Sequence, residues 1–272
     1  MWPMKNVLGI VLLCILLNGC AQMVNQNKTS LSFYFTDKLG AIYEYNGNVK
    51  KISQNNAQSI SFIPMDHLQT SMRSSVQIFN RFGPIVLHSD PDQMITSAVV
   101  SASLDTIYFT NNSGALYKKI GGNVMDLNVR LYPSPKKMIL DEEKSMIYYH
   151  DNLQVYELNL LTLQSRPVSN GFYPIHSIAY NNQTDMVYFS TSIDGKIYKI
   201  DLNKSVTDVF FATRSANGSA ISLGLSKSEL YYTRTNGKDT FINGIDTQDG
   251  TVTNYLTLFN VTYVDSLAIQ SE

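Results

Sequence analysis

A hairpin signature that recurs about every forty residues constrains this chain more than any other feature. The clearest copy begins with the aromatic segment 146–151 and continues into 154–158, and similar copies begin near 106 and 186. In each copy an aromatic strand is followed by a short turn and then by a strand of aliphatic residues and tyrosine. A hairpin repeated at a fixed period is typical of repeat architectures. The sequence therefore predicts a fold assembled from similar units.

Each unit contains the same four parts in the same order. A strand of small and apolar residues leads, as in Ala98-Val99-Val100, and a polar turn follows it. The aromatic strand, the aliphatic-tyrosine strand and a more polar outer strand come next. Four antiparallel strands in about forty residues form one blade of a β-propeller. The leading strands have small side chains because we expect them to crowd together near the axis.

The position that opens the first inner hairpin can be aligned along the chain. It is mostly tyrosine and is occupied in turn by Tyr34, Ile78, Tyr108, Tyr148, Tyr188 and Tyr231. The second unit departs from the pattern, but strands are predicted there at 59–63, 75–79 and 84–87. We therefore predict six blades, with the aromatic side chains packed between adjacent blades.

The two ends of the repeat region complement each other. The first unit, 31–52, has no leading strand, whereas the segment 264–269 matches a leading strand. Pairing of the two would complete the first blade and remove the exposed sheet edges of an open array. The predicted fold class is all-β, a six-bladed β-propeller of four-stranded antiparallel blades over 31–272, closed by its C-terminal strand.

Composition narrows the functions open to the chain. Only 16% of the 272 residues are charged, the net charge is −1, and the sequence has no basic run. Nucleic-acid binding requires clustered Lys and Arg, so we exclude that partner. Cys14 and Cys20 are the two cysteines. The rest of the chain therefore has no disulfide framework and no thiolate metal site.

The segment 1–20 is predicted to be a signal peptide. Its apolar run, Val7 to Leu17, is shorter than the ~20 residues that span a bilayer. The following Leu17-Asn18-Gly19-Cys20 resembles the bacterial lipobox, although Asn18 departs from the usual residue. That resemblance implies acylation of Cys20 as the only membrane attachment, while the alternative is an ordinary secretory signal. Residues 21–30 are polar and are predicted to be a tether.

The predicted destination is either the bacterial cell envelope or the extracellular space. Asn-x-Ser/Thr sequons occur at Asn27, Asn111, Asn182, Asn203, Asn217 and Asn260. In a eukaryotic secretory route these asparagines would be N-glycosylation sites on the surface. Both routes remain open from the sequence.

The aromatic strands resemble the Tyr-Trp-Thr-Asp motif of class B repeats in low-density-lipoprotein-receptor-type six-bladed propellers. They include Tyr34-Phe35-Thr36-Asp37 and Tyr108-Phe109-Thr110-Asn111, with Phe or Tyr in place of Trp. The chain after the signal peptide has no Trp, and Gly121-Gly122 is its one glycine pair, so Trp-Asp and kelch repeats are not matched. The resemblance implies a rigid, monomeric disc that binds a protein or small ligand on one face, and it implies no activity.

The sequence contains no catalytic constellation, cofactor motif or metal-ligand spacing. The histidines are scattered, and His150 occupies the Thr position of a motif strand, where we interpret it as structural. His176 opens a leading strand, and Arg214 lies just before the next one. Loops before leading strands commonly line one mouth of a propeller channel, so these two residues are the predicted ligand contacts.

Three functions fit these observations. The first is an exported, non-catalytic binding propeller. The second is a metal-dependent hydrolase of the lactonase type, for which Asp265 and Glu142 are candidate ligands in the central channel. The third is an envelope scaffold, anchored at Cys20, that recruits other proteins.

Overall fold

A computed structural model describes residues 31–53, 57–63, 67–80, 83–132, 134–171, 173–213, 221–261 and 263–271. Within these ranges the chain forms 24 β-strands in six four-stranded antiparallel sheets. The predicted fold class, a six-bladed β-propeller, is confirmed. No helix in the described part of the chain is long and apolar enough to cross a membrane.

Among the first three blades, blade 1 alone contains strands from both ends of the chain. Blade 1 contains β1 (Leu31–Thr36), β2 (Ile42–Tyr45), β3 (Val49–Ser53) and β24 (Ser266–Ser271). Blade 2 contains β4 (Ala57–Ile63), β5 (His67–Met72), β6 (Ser75–Asn80) and β7 (Gly83–Ser89). Blade 3 contains β8 (Ile95–Val100), β9 (Thr106–Asn111), β10 (Ala115–Ile120) and β11 (Asn123–Arg130).

The last three blades follow one another along the chain. Blade 4 contains β12 (Lys137–Asp141), β13 (Met146–His150), β14 (Val155–Asn159) and β15 (Gln164–Pro167). Blade 5 contains β16 (Ile175–Asn181), β17 (Met186–Thr191), β18 (Lys196–Asp201) and β19 (Val206–Ala212). Blade 6 contains β20 (Leu223–Ser226), β21 (Glu229–Thr235), β22 (Thr240–Asp246) and β23 (Val252–Leu258).

Six inner strands surround the axis, and each contacts the inner strands of its two neighbours: β24, β4, β8, β12, β16 and β20. Crowding at the axis explains the small residues that the sequence places there. Gly224 is an example, because a Cβ atom at this position would collide with Ile269 of the neighbouring inner strand.

The ring is closed as the sequence predicted. β24 pairs antiparallel with β1, in a register that runs from Leu31 opposite Ser271 to Thr36 opposite Ser266. The backbone N–H of Asp265 also donates to the carbonyl of Thr36 at 2.9 Å. The chain therefore completes its first blade with a strand that lies far away in sequence.

The hydrophobic core consists of six clusters, one at each interface between adjacent blades. The cluster between blades 4 and 5 contains Tyr148 and Phe189, and that between blades 6 and 1 contains Phe33 and Tyr231. Burial of large aromatic side chains contributes much of the stability of such interfaces. The predicted packing of aromatic residues between blades is confirmed.

The aromatic strands contain a repeated pair of stacked rings. A ring on the second strand stacks on a tyrosine opposite it on the third strand in four blades: Phe35 on Tyr43, Phe109 on Tyr117, Tyr149 on Tyr156 and Phe189 on Tyr198. In blades 1 and 4 the motif aspartate caps the turn and binds that tyrosine. Asp37 and Asp151 each accept the tyrosine hydroxyl at 3.1 Å.

Blade 2 departs from the alignment that the sequence suggested. The strand β5 was not predicted, and the assignment of Ile78 to the Tyr34 position was wrong, because Ile78 lies in the third strand and pairs with Gln69. Gln69 holds the equivalent position instead. Its buried amide donates to the Ala98 carbonyl at 2.7 Å and accepts the Val100 N–H at 3.0 Å. Hydrogen bonds to the next blade thus replace the aromatic contact.

Candidate functional site

One buried polar position recurs at the same end of the second strand in every blade. Thr, Ser or His occupies it, in the order Thr36, Ser71, Thr110, His150, Ser190 and Thr233. The hydroxyl groups bind inner strands. For example, the Ser266 N–H donates to Thr36 Oγ1 at 3.1 Å, and the Ser222 N–H donates to Thr233 Oγ1 at 2.8 Å. This position therefore holds the inner strands where they begin.

His150 is the exception in this set. Its side chain is 1% exposed, and neither ring nitrogen has a hydrogen-bond partner within the described ranges. Burial, and then the nearby charges of Lys137 and His176, lower the pKa of His150 to about 3. The imidazole is therefore neutral near pH 7, with one N–H donor and one acceptor nitrogen.

A cavity of about 560 Å³ opens at this end of the channel, where the inner strands begin. Blades 1 to 5 contribute to its lining. We call this end the basic mouth, because four cations line it: Lys38, Arg73, Lys136 and Lys137. Asp265 is the one carboxylate among the described lining residues.

The cations of the basic mouth lack carboxylate partners. No ion pair between described residues includes any of the four. Lys137, the first residue of β12, crosses the channel, and its ammonium donates to the Leu223 carbonyl of blade 6 at 3.3 Å. Burial lowers the pKa of Lys137 to about 8. A half-buried lysine without a counter-ion among the described residues is an unfavourable arrangement in a folded protein.

His176 also lines the basic mouth, as the sequence predicted for a ligand contact. Burial lowers its pKa against the opposing effect of Asp265, and its Nε2 atom is buried with no hydrogen-bond partner among the described residues. Asp265 itself accepts the Tyr263 hydroxyl at 2.9 Å. The other predicted contact, Arg214, lies outside the described residues.

The opposite end of the channel, where the inner strands finish, contains a second cavity of about 450 Å³. We call it the acidic mouth, because Asp141, Glu142 and Glu143 line it. Two of these three carboxylates have partners in the fold. Asp141 accepts the Tyr180 hydroxyl at 2.7 Å, and Glu142 accepts the Ala102 N–H.

The two acidic residues suggested for a lactonase-type metal site lie at different mouths. Asp265 lines the basic mouth and Glu142 lines the acidic mouth. In the described part of the chain, no group of three or more His, Cys, Asp or Glu residues has an arrangement that could hold a metal ion. The fold therefore does not bring these candidate ligands together.

Some of the predicted modification sites lie on the described surface, and others lie outside the described residues. Asn182, Asn203 and Asn260 are exposed in turns. Asn111 is half-buried, and its carboxamide oxygen accepts the N–H groups of Ser113 and Ala115. The remaining predicted sites lie outside the described residues: Asn27, Asn217 and the lipid-attachment residue Cys20. Glycosylation and acylation stay predictions.

The sequence did not suggest the four cations of the basic mouth. They come from three blades, in separate loops and near the start of a strand, so no local sequence motif predicts them. The available signal was their position, since Lys38 and Arg73 lie between second and third strands and Lys136 and Lys137 begin a leading strand. Those positions all face one end of a propeller.

Together, the closed ring and the open axial cavity define the class of protein, a six-bladed β-propeller with one basic and one acidic channel mouth. Among solved structures, a chain in the crystal structure of a nidogen/laminin complex is similar, with a TM-score of 0.69 and 12% identity, over 88% of this chain and 98% of that chain. TolB from Acinetobacter baumannii is also similar, with a TM-score of 0.62 and 12% identity, over 88% of this chain and 66% of that chain. No family model and no curated protein matches the sequence. At these identities the likeness extends to the fold alone.

Proposed function

We propose that this chain is an exported, non-catalytic binding propeller that takes its ligand at the basic mouth. The cavity of about 560 Å³ carries this proposal, because its volume lies within the roughly 300–1,000 Å³ typical of ligand sites. Polar groups from five blades converge on it, and several have no hydrogen-bond partner among the described residues. The apolar run and the lipobox-like segment support export.

The acidic mouth supports the same choice of face by contrast. Asp141 and Glu142 already bind groups of the fold, whereas the basic mouth presents four cations without an ion-pair partner and imidazole nitrogens without a hydrogen-bond partner among the described residues. The similar chain in the nidogen/laminin complex comes from an assembly of proteins. That observation is compatible with a binding role for a propeller of this shape.

A pair of matched substitutions tests which mouth binds. Asn152 is an exposed residue lining the basic mouth, and Asn182 is an exposed residue lining the acidic mouth. Asn152→Trp should obstruct the first cavity, and Asn182→Trp should obstruct the second. The melting temperatures of the parent chain and both variants are measured against a panel of organic acids, sugars and short peptides.

We expect panel compounds that raise the melting temperature of the parent and of Asn182→Trp but not of Asn152→Trp. A ligand at about 100 times its Kd should raise it by roughly 5 °C or more. A ligand that fails to raise the melting temperature of Asn182→Trp alone would bind at the acidic mouth, which would contradict the proposal. Chemical conversion of a panel compound by the parent chain, followed by mass spectrometry, would contradict the non-catalytic role.

A further inference from the structure

We infer that the ligand of the basic mouth is a small molecule that carries a carboxylate or phosphate group, held by the ammonium of Lys137. This inference rests on the proposed function and adds the chemistry of the ligand to it. Its basis is the combination of uncompensated cations, a channel-spanning lysine and buried imidazoles without partners.

Charge is the first argument. Four cations and one carboxylate line the cavity, and the carboxylate already accepts the Tyr263 hydroxyl. Charges of one sign in a cleft concentrate the field and raise the local concentration of ligands of the opposite sign. The site therefore favours an anion.

Lys137 is the second argument. An ammonium has three donors, and the structure gives this one a single hydrogen bond, to the Leu223 carbonyl. The other two N–H donors of the ammonium have no described acceptor, and the side chain is half-buried at the wall of the cavity. A carboxylate or phosphate oxygen would supply both the missing acceptors and the missing counter-charge.

The histidines supply the third argument. His150 is almost fully buried, lines the cavity and has no partner for either ring nitrogen among the described residues. His176 lines the same cavity and leaves Nε2 without a partner there. Buried polar groups are normally hydrogen-bonded. Neutral imidazole N–H groups beside Lys137 could donate to the same oxygens that the ammonium holds.

The size of the site sets the size of the ligand. The whole chain has a net charge of −1. Because the mouth itself has an excess of cations, the rest of the chain is net negative and offers no extended basic track for a polyanion. The cavity of about 560 Å³ suits a molecule of metabolite size. We therefore place the anionic group on a small molecule rather than on a polymer.

Calorimetric titration of the full chain at pH 7 tests the inference with succinate, inorganic phosphate and uncharged succinamide. We expect succinate or phosphate to bind and succinamide not to bind. Binding of succinate would indicate a carboxylate ligand, and binding of inorganic phosphate would indicate a phosphate ligand. Lys137→Gln should weaken anion binding by roughly tenfold or more, since it removes a charged hydrogen-bond donor.

The control variant is Lys50→Gln, which removes the same charge from an exposed position on β3. It should bind the anion within about twofold of the parent, since screened surface charges contribute little. Arg73→Gln, at the exposed rim of the mouth, provides a second cavity variant that does not alter a buried residue. We expect it to weaken binding less than Lys137→Gln does.

The pH dependence of succinate binding gives an independent readout. The groups facing Lys137 are Lys38, Arg73, Lys136, His150, His176 and Asp265. Because burial lowers the pKa of Lys137 to about 8, the affinity should fall roughly tenfold between pH 7 and pH 9. Lys137→Gln should lose most of that dependence while Lys50→Gln retains it.

Several results would overturn the inference. They are the absence of binding by both anions up to about 10 mM, stronger binding of succinamide, or an unchanged anion affinity in Lys137→Gln. Neutral compounds that bind and are blocked by Asn152→Trp would refute the anionic chemistry while leaving the binding function intact. Loss of all binding at the basic mouth would refute both.

Discussion

The two ends of the channel differ in what their charged groups contact. At the acidic mouth, Asp141 accepts the Tyr180 hydroxyl and the Lys144 N–H, and Lys144 also forms an ion pair with Asp185. At the basic mouth, Lys137 binds only a backbone carbonyl. The comparison teaches that one set of charges holds blades together, while the other contributes little to contacts between blades and is the proposed ligand site.

The titration behaviour of the two mouths reflects the same difference. Beside the acidic mouth, hydrogen bonding from Lys144 lowers the pKa of Asp185. At the mouth, burial followed by Asp141 raises the pKa of Tyr180. Both shifts favour the charge states that these groups have near pH 7. At the basic mouth, burial lowers the pKa values of Lys137, His150 and His176, which opposes their charged forms. The shifts at the acidic mouth therefore favour the existing charge states, and those at the basic mouth oppose charging.

The largest predicted effect is acid sensitivity that originates at the basic mouth. The folded-state pKa of His150 is about 3, below its ordinary value of 6.5, so the unfolded chain takes up a proton first as the pH falls. Stability present above pH 6.5 is therefore lost progressively toward pH 3, by about 3 kcal/mol at pH 4. His150→Thr should remove this loss, measured by urea unfolding at pH 7 and pH 4.

Thr110→Ser is the control for this experiment, since it changes the equivalent position of blade 3 without altering a titratable group. It should keep the full pH dependence of the parent. An equal loss of stability in the parent and in His150→Thr would show that the acid sensitivity arises elsewhere.

A smaller effect is expected from the acidic mouth. Asp141→Ala removes the nearer acceptor of the Tyr180 hydroxyl, which keeps Asp185 at 3.0 Å, and leaves the Lys144 N–H without its acceptor. It should lower the free energy of unfolding by about 2 kcal/mol. Lys137→Gln should leave it unchanged or raise it, because this substitution removes a charge that burial disfavours and that makes one described hydrogen bond, to the Leu223 carbonyl. Urea unfolding at pH 7 measures both, and equal losses would erase the contrast between the mouths.

The smallest effect separates two neighbouring carboxylates of the acidic mouth. Both are exposed, but Glu142 accepts the Ala102 N–H of blade 3, whereas no contact of this kind is found for Glu143 among the described residues. Glu142→Ala should therefore lower the free energy of unfolding by about 1 kcal/mol, and Glu143→Ala by less than about 0.5 kcal/mol. Indistinguishable unfolding midpoints would mean that the hydrogen bond between Glu142 and Ala102 contributes nothing measurable to the free energy of unfolding.

Most of the fold could be predicted because blades 1 and 3 to 6 carry aromatic residues at positions that the sequence repeats. Blade 2 could not be aligned in the same way. His67-Leu68-Gln69-Thr70-Ser71 has no aromatic residue, so its strand β5 was missed and Ile78 was given the wrong position. The physical reason is that the side-chain amide of Gln69 makes the contact to the next blade by hydrogen bonds instead of ring packing.

The candidate site was less predictable than the fold. His176 was identified from its place at the start of a leading strand, but His150 was interpreted as structural because it occupies the Thr position. The cations that give the mouth its charge are separated by up to about a hundred residues. They meet only because six inner strands begin at the same end of the ring, which a local pattern does not reveal.

Closure by β24 also has a consequence for how the protein is made. The Ser266 N–H that binds Thr36 lies 230 residues after its acceptor. At about 5–20 residues per second, a ribosome needs roughly 10–50 s to cover that distance. During this interval β1 has an unpaired edge that can pair with strands from other nascent chains. The final segment covers this edge and closes the ring. Stalled translation products that lack the segment would therefore be prone to degradation or aggregation.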